Sequence, residues 1–166
     1  RAAGKILGEI LGVLEKQIKP GVTTLELDQL AERMMKERNV LPAFKGYKGF
    51  PATLCTCLND EVVHGIPNNL PLQEGDLLTI DCGVILDGFY SDSAITVGVG
   101  KISPIAQKLI NTATKALDNA ISVARPGIRT NLISRAIEET VIKGGFKIIP
   151  ELSGHGIGLS LHEDPY

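Results

Sequence analysis

Two aspartates, Asp81 and Asp92, flank a predicted hairpin in the segment LLTIDCGVILDGFYSDSAITV. Asp87-Gly88 is the strongest short hairpin signal, and a two-residue turn there places Gly83 opposite Asp92. Asp81 then lies on the same face as Asp92, at a diagonal spacing of roughly 7 Å between side-chain bases, and Gly83 should leave open space there. Carboxylates this close repel unless a cation or a shared proton lies between them, so the pair predicts a metal site. The alternative is that one aspartate caps a turn while the other faces water.

The three histidines of the chain are further candidates for a site. His64 ends a predicted strand in NDEVVHGIP, and His155 lies between glycines in SGHGIG, where the missing side chains permit close approach of backbone or ligand. His162 follows in LHEDP. A single histidine is more often structural, but beside a carboxylate pair a shared site is favoured.

Composition favours one soluble domain. The 166 residues, 43% of them hydrophobic, are enough for one sizeable core, so we expect a single domain over 1–166. A net charge of -2 gives no electrostatic reason to expect nucleic acid or a membrane surface as partner. No apolar run approaches the roughly 20 residues that span a bilayer, and no signal peptide precedes the first helix. The three cysteines, Cys55, Cys57 and Cys82, match no zinc or redox motif, and we expect buried, reduced thiols.

The chain contains an internal repeat, because KPGVTTLELDQLAERMMKERNV at 19–40 resembles RPGIRTNLISRAIEETVIKGGF at 125–146. Each copy starts with a basic residue and Pro-Gly, places Thr24 or Thr130 where an N-cap belongs, and continues as an amphipathic helix. Another amphipathic helix precedes each Pro-Gly. The repeat predicts two α+β halves, about 1–100 and about 101–166.

Strands are predicted after each helix pair. The first half should contain strands over 52–58, 61–64, 77–86 and 89–97, and the second half a strand over 146–150. The repeat places the counterpart of the aspartate hairpin beyond Tyr166, and Arg1 is not an initiator Met. We therefore expect a fragment or a naturally shortened chain, with the second half incomplete and its C-terminal strands missing.

Together, NDEVVHGIP, the Asp81/Asp92 hairpin, and GHGIG followed by HEDP resemble the type I methionine aminopeptidases over nearly the whole chain. The resemblance implies the pita-bread (creatinase/aminopeptidase) fold, an α+β fold of two pseudo-symmetric halves. It also implies a two-metal site in which Asp81 binds one metal through both oxygens, Asp92 bridges both metals and His155 binds the other. His64 and His162 would contact the substrate near the scissile peptide.

The activity implied by the resemblance is removal of the initiator methionine from nascent proteins. Two divalent cations (Co, Mn, Fe or Zn), about 4 Å or slightly less apart, would generate a bridging hydroxide that attacks the peptide carbonyl. His162 would stabilise the oxyanion, and His64 would position the peptide nitrogen or donate to it. Tyr47, Phe50 and Cys55 resemble the wall of the methionine pocket, with ordinary packing as the alternative. We expect a cytoplasmic monomer acting on N-terminal Met peptides, with the ribosome as a candidate partner.

Two departures from the family pattern affect these expectations. Family members carry two further metal-binding glutamates downstream, one of them the expected general base, and this chain ends before both. Leu152 and Leu161 replace aromatic residues often found there, which should alter the shape of the pocket. Two other functions remain open: a proline-specific pita-bread peptidase, which the short start disfavours, and a non-catalytic pita-bread module that binds peptides or proteins.

Overall fold

The computed structural model describes residues 1–165. The helices are α1 (Ala2–Gln17), α2 (Thr24–Glu37), α3 (Pro104–Val123) and α4 (Asn131–Lys143). The strands are β1 (Leu41–Pro42), β2 (Leu54–Leu58), β3 (Leu77–Leu86) and β4 (Phe89–Gly98), and a 3₁₀ turn spans Tyr47–Gly49. The chain divides into two compact units, one of residues 1–102 with 155–164 and one of residues 103–154 with Pro165.

A capping box begins α2. The N-cap is Thr23, whose hydroxyl accepts the Glu26 N–H at 3.2 Å while the Glu26 carboxylate accepts the Thr23 N–H at 2.7 Å. The predicted cap, Thr24, is wrong by one position: it is the first helical residue, whereas Thr23 has the extended backbone that an N-cap needs. The preceding helix, α1, ends at Gln17.

Strand β3 is the centre of an antiparallel sheet. One of its edges pairs with β4 along the full length of the hairpin. The other edge pairs with the short β1 near Ile85 and with β2 over 78–82. β3 therefore has neighbours on both edges, and its side chains alternate between the two faces of the sheet.

The β3–β4 hairpin has the predicted register, with Gly83 opposite Asp92. Its turn residues, Asp87 and Gly88, have φ values of 51° and 81°. Positive φ at both positions is the requirement of a type I′ turn, which joins strands without splaying them. Local turn chemistry thus sets which side chains of the two strands share a face.

One face of the sheet packs against α1 and α2 and forms the main core. Four residues of β3 on this face have no exposed surface: Leu78, Ile80, Cys82 and Val84. Asp28 of α2 fixes the start of β2, because its Oδ1 accepts the N–H groups of Thr53 and Leu54 at 2.9 and 2.8 Å. Burial raises the pKa of Asp28, and these two hydrogen bonds oppose that rise.

The predicted strand over 61–64 is wrong. After β2 the chain turns, and the Glu61 N–H donates to the Leu58 carbonyl at 3.0 Å. Asn59 and His64 have positive φ values of 54° and 60°. A strand cannot continue through left-handed backbone, so this segment forms a loop instead.

The strand predicted over 146–150 is also wrong, because this segment has no ladder partner within residues 1–165. Instead, the Phe146 N–H donates to the Val141 carbonyl at 3.1 Å, which closes the end of α4. Thr130 flanks the start of α4 as predicted, but its side chain makes no capping hydrogen bond. Its helical backbone explains this, since an N-cap side chain needs extended backbone to reach the N–H groups of the first turn.

Helices α3 and α4 pack against each other in the second unit. Asn119 donates to the hydroxyl of Thr140 at 2.8 Å, and a Cβ on Gly144 would lie only 2.9 Å from the Thr112 hydroxyl. The two helices of the second repeat are therefore present as predicted. The buried hydrophobic residues of α3 are Ala116 and Ala120.

Candidate metal centre

Asp81 and Asp92 lie together on the sheet face that points away from α1 and α2, as the hairpin register predicts. Burial, the largest cause, and the neighbouring Asp92 carboxylate together raise the pKa of Asp81 to about 8. The closeness of the two carboxyl groups thus favours the protonated form of Asp81. Without a cation, the pair therefore retains a proton at neutral pH, which is the alternative to metal binding for two such carboxylates.

The expectation of open space at Gly83 is wrong. A Cβ at this position would lie 2.7 Å from Cε1 of Phe44 and 2.8 Å from Cβ of Ala43. The segment that follows β1 covers this part of the sheet, and the Ala43 N–H donates to the Gly83 carbonyl at 2.9 Å. Gly83 thus permits close packing of an apolar wall beside Asp92 rather than space for a ligand.

His155 presents one ring nitrogen to the carboxylates. Its Nδ1 lies 2.9 Å from the carbonyl oxygen of Gly156, which can only accept, so Nδ1 carries the proton. In the neutral imidazole the lone pair of Nε2 is then free, and Nε2 lies 3.9 Å from Oδ2 of Asp92. A backbone carbonyl that fixes the tautomer in this way is the usual arrangement behind a metal-binding histidine.

The side chains of Asp81, Asp92 and His155 are of the types that bind divalent cations, but their atoms are too far apart to bind one ion together without a shift. Within residues 1–165, no group of three His, Cys, Asp or Glu side chains is arranged to hold an ion. Two atoms bound to one ion at about 2.1 Å each are at most about 4.2 Å apart and usually closer, so His155 and Asp92 need a shift of under about 1 Å. Two carboxylates and a neutral imidazole match the preferences of manganese, iron, cobalt and zinc.

A short hairpin brings the two C-terminal histidines to this face. Gly156 and Glu163 form an antiparallel bridge, with N–H to carbonyl distances of 2.8 and 2.9 Å in the two directions. The Tyr90 N–H of β4 donates to the Gly158 carbonyl at 2.8 Å and ties the hairpin to the edge of the sheet. As a result the rings of His155 and His162, on opposite arms of the hairpin, have centroids 4.4 Å apart.

His162 is exposed and lies within electrostatic reach of His155, Lys48 and the carboxyl group of Asp92. Burial lowers the pKa of its imidazole, and the nearby His155 and Lys48 lower it further. The Tyr47 hydroxyl lies 3.0 Å from Nδ1 of His162. The sequence did not predict this hydrogen bond, because the two residues are 115 positions apart and no local pattern links them.

His64 lies in the loop after β2 with left-handed backbone, at a φ of 60°. The loop is held against β2, since the Thr56 N–H donates to the Gly65 carbonyl at 2.8 Å and the Gly65 N–H donates to Sγ of Cys57 at 3.4 Å. His64 also contributes to lowering the pKa of His162, which places the two rings within electrostatic reach.

The predicted pocket wall is partly apolar and partly polar. Cys55 pairs with Asp81 across β2 and β3, and it is buried with Leu161 in a cluster against which Phe50 packs. Burial, the largest cause, and the nearby carboxylate of Asp81 together raise the pKa of the Cys55 thiol to about 12. The three cysteines are buried and reduced, as predicted. Leu161, one of the departures from the family pattern, is thus part of this wall, whereas Leu152 is exposed.

The whole chain, residues 1–166, matches the model of metallopeptidase family M24. The chain belongs to this family. It is 48% identical over 166 residues to the methionine aminopeptidase of Clostridium acetobutylicum, with 99% of the chain and 66% of that relative covered. A crystal structure of methionine aminopeptidase from Rickettsia prowazekii superposes with a TM-score of 0.96 at 39% identity, covering 99% of this chain and 66% of that one.

These comparisons confirm the resemblance to methionine aminopeptidases and the pita-bread fold. This member of family M24 spans 66% of the length of the relatives named above. A prolidase from Pyrococcus furiosus has a TM-score of 0.86 but is only 24% identical, so it shares the fold alone. Within residues 1–165, no helix combines the length and the apolar character needed to cross a membrane.

Proposed function

We propose that the protein is a metal-dependent aminopeptidase that removes the N-terminal methionine from nascent polypeptides. One observation carries the proposal: Asp81, Asp92 and the free Nε2 of His155 converge on one sheet face of a family M24 chain. The names of its relatives support methionine as the residue removed. We expect it to act as a monomer in the cytoplasm, on peptides emerging from the ribosome.

Asp81, Asp92 and His155 are the residues that would hold the cations, two in a complete site. Divalent cations in such a site polarise the peptide carbonyl and activate water at neutral pH. Nε2 of His155 on the hairpin and the carboxyl oxygens of Asp92 on β4 offer lone pairs from neighbouring segments, which supports this assignment. The raised pKa of Asp81 means that binding a cation must first displace a proton from the pair.

The other two histidines would act on the substrate. His162 lies beside His155, and the lowered pKa of its imidazole favours the neutral form, which can donate a hydrogen bond to a carbonyl oxygen as charge develops there. His64, on the loop held by β2, would position the peptide nitrogen or donate to it. Neither role requires the histidine to carry a full charge in the resting protein.

The substrate side chain would lie against Cys55, Phe50 and Tyr47. Cys55 is the residue paired with Asp81, so an apolar side chain beside it would begin next to the cation ligands. The cluster around Cys55 is apolar and buried, which supports an apolar side chain such as that of methionine over a charged one.

The test compares two single substitutions in the intact natural protein, purified and loaded with manganese. We expect it to bind Mn²⁺ and to hydrolyse a Met-Ala peptide but not an Xaa-Pro dipeptide. Asp92→Ala should lower metal content and activity by more than about 100-fold, whereas the matched control at the exposed Asp118 of α3, Asp118→Ala, should change neither. Metal-free protein that binds Met peptides without hydrolysing them would instead support the non-catalytic module, and cleavage of the Xaa-Pro dipeptide would support a proline-specific peptidase.

A further inference from the structure

Tyr47 makes a polar contact that a pocket wall does not need. Its hydroxyl lies 3.0 Å from Nδ1 of His162, and the two rings have centroids 5.5 Å apart with an interplanar angle of 34°. The Tyr47 phenol thus contacts the His162 imidazole through a hydrogen bond and not through ring stacking alone. Nδ1 is thereby engaged, and Nε2 is the remaining polar atom of the ring.

The loop that carries Tyr47 is fixed by its backbone. The Tyr47 N–H donates to the Phe44 carbonyl at 2.9 Å, and the Gly46 N–H donates to the Phe50 carbonyl at 2.8 Å. Lys48 has a φ of 47°, a left-handed conformation that a non-glycine residue adopts only where the surrounding structure requires it. This closed turn holds the phenol in place before any ligand arrives.

The surroundings favour the phenol as donor in this hydrogen bond. Nζ of Lys48 lies 5.4 Å from the centroid of the Tyr47 ring. A positive charge over the ring draws electron density from the oxygen, which makes the hydroxyl a better donor and a poorer acceptor. Nδ1 of His162 is then the acceptor, and the proton of the neutral imidazole resides on Nε2.

We propose that Tyr47 is a positioning residue that fixes His162 as its Nε2–H tautomer, the opposite of the tautomer of its neighbour His155. The proposal rests on the proposed function, because it assigns the Nε2–H group to the carbonyl oxygen of the scissile peptide. His155 has its proton on Nδ1, donated to Gly156, and offers a lone pair to a cation. The two imidazoles, whose centroids are 4.4 Å apart, would thus have different roles. His155 would bind a metal, and His162 would donate a hydrogen bond to the substrate.

The tautomers can be observed directly. In the intact natural protein loaded with diamagnetic Zn²⁺ and labelled with ¹⁵N-histidine, two-bond ¹H–¹⁵N correlation spectra distinguish Nδ1–H from Nε2–H. We expect Nε2–H for His162 and Nδ1–H for His155. In Tyr47→Phe the His162 signals should move toward a mixture of tautomers, and in the control Tyr90→Phe they should not. An Nδ1–H pattern for His162 in the unsubstituted protein overturns the proposal, whether or not Tyr47→Phe folds.

Kinetics separate positioning from lining a pocket. Tyr47→Phe keeps the ring, so a wall that acts only by shape predicts unchanged kcat and KM. We expect kcat for a Met-Ala peptide to fall about 10-fold with KM changed less than about twofold, as for loss of the group that orients a catalytic histidine. An unchanged kcat contradicts the proposal. If the unsubstituted protein cleaves no Met peptide, the proposed function fails, while the spectra still decide whether Tyr47 sets the tautomer.

Discussion

The two faces of β3 are made of alternating residues of one strand, yet one face is apolar and buried and the other is polar and partly buried. Toward α1 and α2, Leu78, Ile80 and Val84 have no exposed surface and form the core. Toward the histidine hairpin, Thr79 and Asp81 are only partly buried, and the carboxyl of Asp81 has a pKa raised to about 8. One face stabilises the fold through apolar burial, and the other lowers stability by burying a carboxyl group beside a second one.

Neighbouring residues of β3 therefore differ in role: one stabilises the fold, and the next lies in the candidate site. Ile80 and Asp81 share a backbone but contribute to the free energy of unfolding with opposite sign. The apolar face makes the carboxylate pair tolerable, because burial of its large side chains offsets the desolvation of Asp81. We expect that residues on one face can be substituted without disturbing the other.

The largest effect is expected from Ile80→Ala on the core face. Removing this fully buried side chain leaves a cavity, and we expect the free energy of unfolding to fall by about 2–5 kcal/mol in urea titrations. Well below the unfolding transition, the kcat/KM of the folded protein for a Met-Ala peptide should stay within about twofold. A large loss of activity in the folded state would show that the two faces are not separable.

A smaller effect is expected from pH through Asp81. The pKa of this carboxyl is about 8 in the folded state and 3.8 as its ordinary value, so the protonated form stabilises the fold. That stability is fully present below about pH 3.8 and is lost as pH rises toward about 8. For chelator-treated protein we expect the free energy of unfolding to fall between pH 5 and 7 by at most about 1.4 kcal/mol per pH unit.

The matched control for the pH effect is Asp81→Asn, which keeps the size of the side chain but cannot ionise. Its unfolding free energy should lack the downward slope that Asp81 adds over this range. The affinity of the unsubstituted protein for Mn²⁺ should rise with pH over the same interval, because the ion displaces a proton. Parallel slopes for the two proteins would show that Asp81 ionises normally.

Gly83→Ala tests the apolar wall beside Asp92. The added Cβ would lie 2.7 Å from Cε1 of Phe44, which is too close unless the ring moves. We expect the free energy of unfolding to fall by about 1–3 kcal/mol, as for other overpacked sites. Phe44→Leu in the same chain should recover part of this loss. Additive losses in the double variant would mean that the ring is not the obstacle.

The smallest effect is expected at Thr79 and Thr96, whose hydroxyls share a hydrogen bond of 2.9 Å on the site face. Either Thr→Val substitution should change the free energy of unfolding by less than about 1 kcal/mol, since water can replace an exposed partner. The double variant should lose no more than the larger single loss if the two hydroxyls act as a pair. Thermal unfolding of the four proteins measures this coupling.

Local chemistry could be predicted from the sequence where a short motif determines it. Asp87-Gly88 permits positive φ at two successive positions, and this alone places Gly83 opposite Asp92. The N-cap was misplaced although the signal was present: Thr23 precedes Glu26 by three residues, the spacing of a capping box, and Thr24 does not.

Contacts between distant segments could not be predicted in the same way. The approach of Phe44 to Gly83 depends on how the residues after β1 cross the sheet, and the Tyr47–His162 hydrogen bond joins residues 115 positions apart. Periodicity likewise predicted the helices of the second repeat but not their burial. Leu117 of α3 is 57% exposed, whereas Leu11 of α1, at the equivalent repeat position, is 5% exposed. The sheet beneath α1 makes that difference.

The hairpin closed by Gly156 and Glu163 carries the imidazoles of both His155 and His162. It is hydrogen-bonded to β4 at Tyr90. A displacement of this hairpin along the edge of the sheet would move the two rings by the same amount. The distance between the two rings would therefore not change when the sheet changes elsewhere, whereas the distance from the rings to Asp92 would. Substitutions along this edge of β4 would then shift the two imidazoles together relative to Asp92, without changing the distance between them.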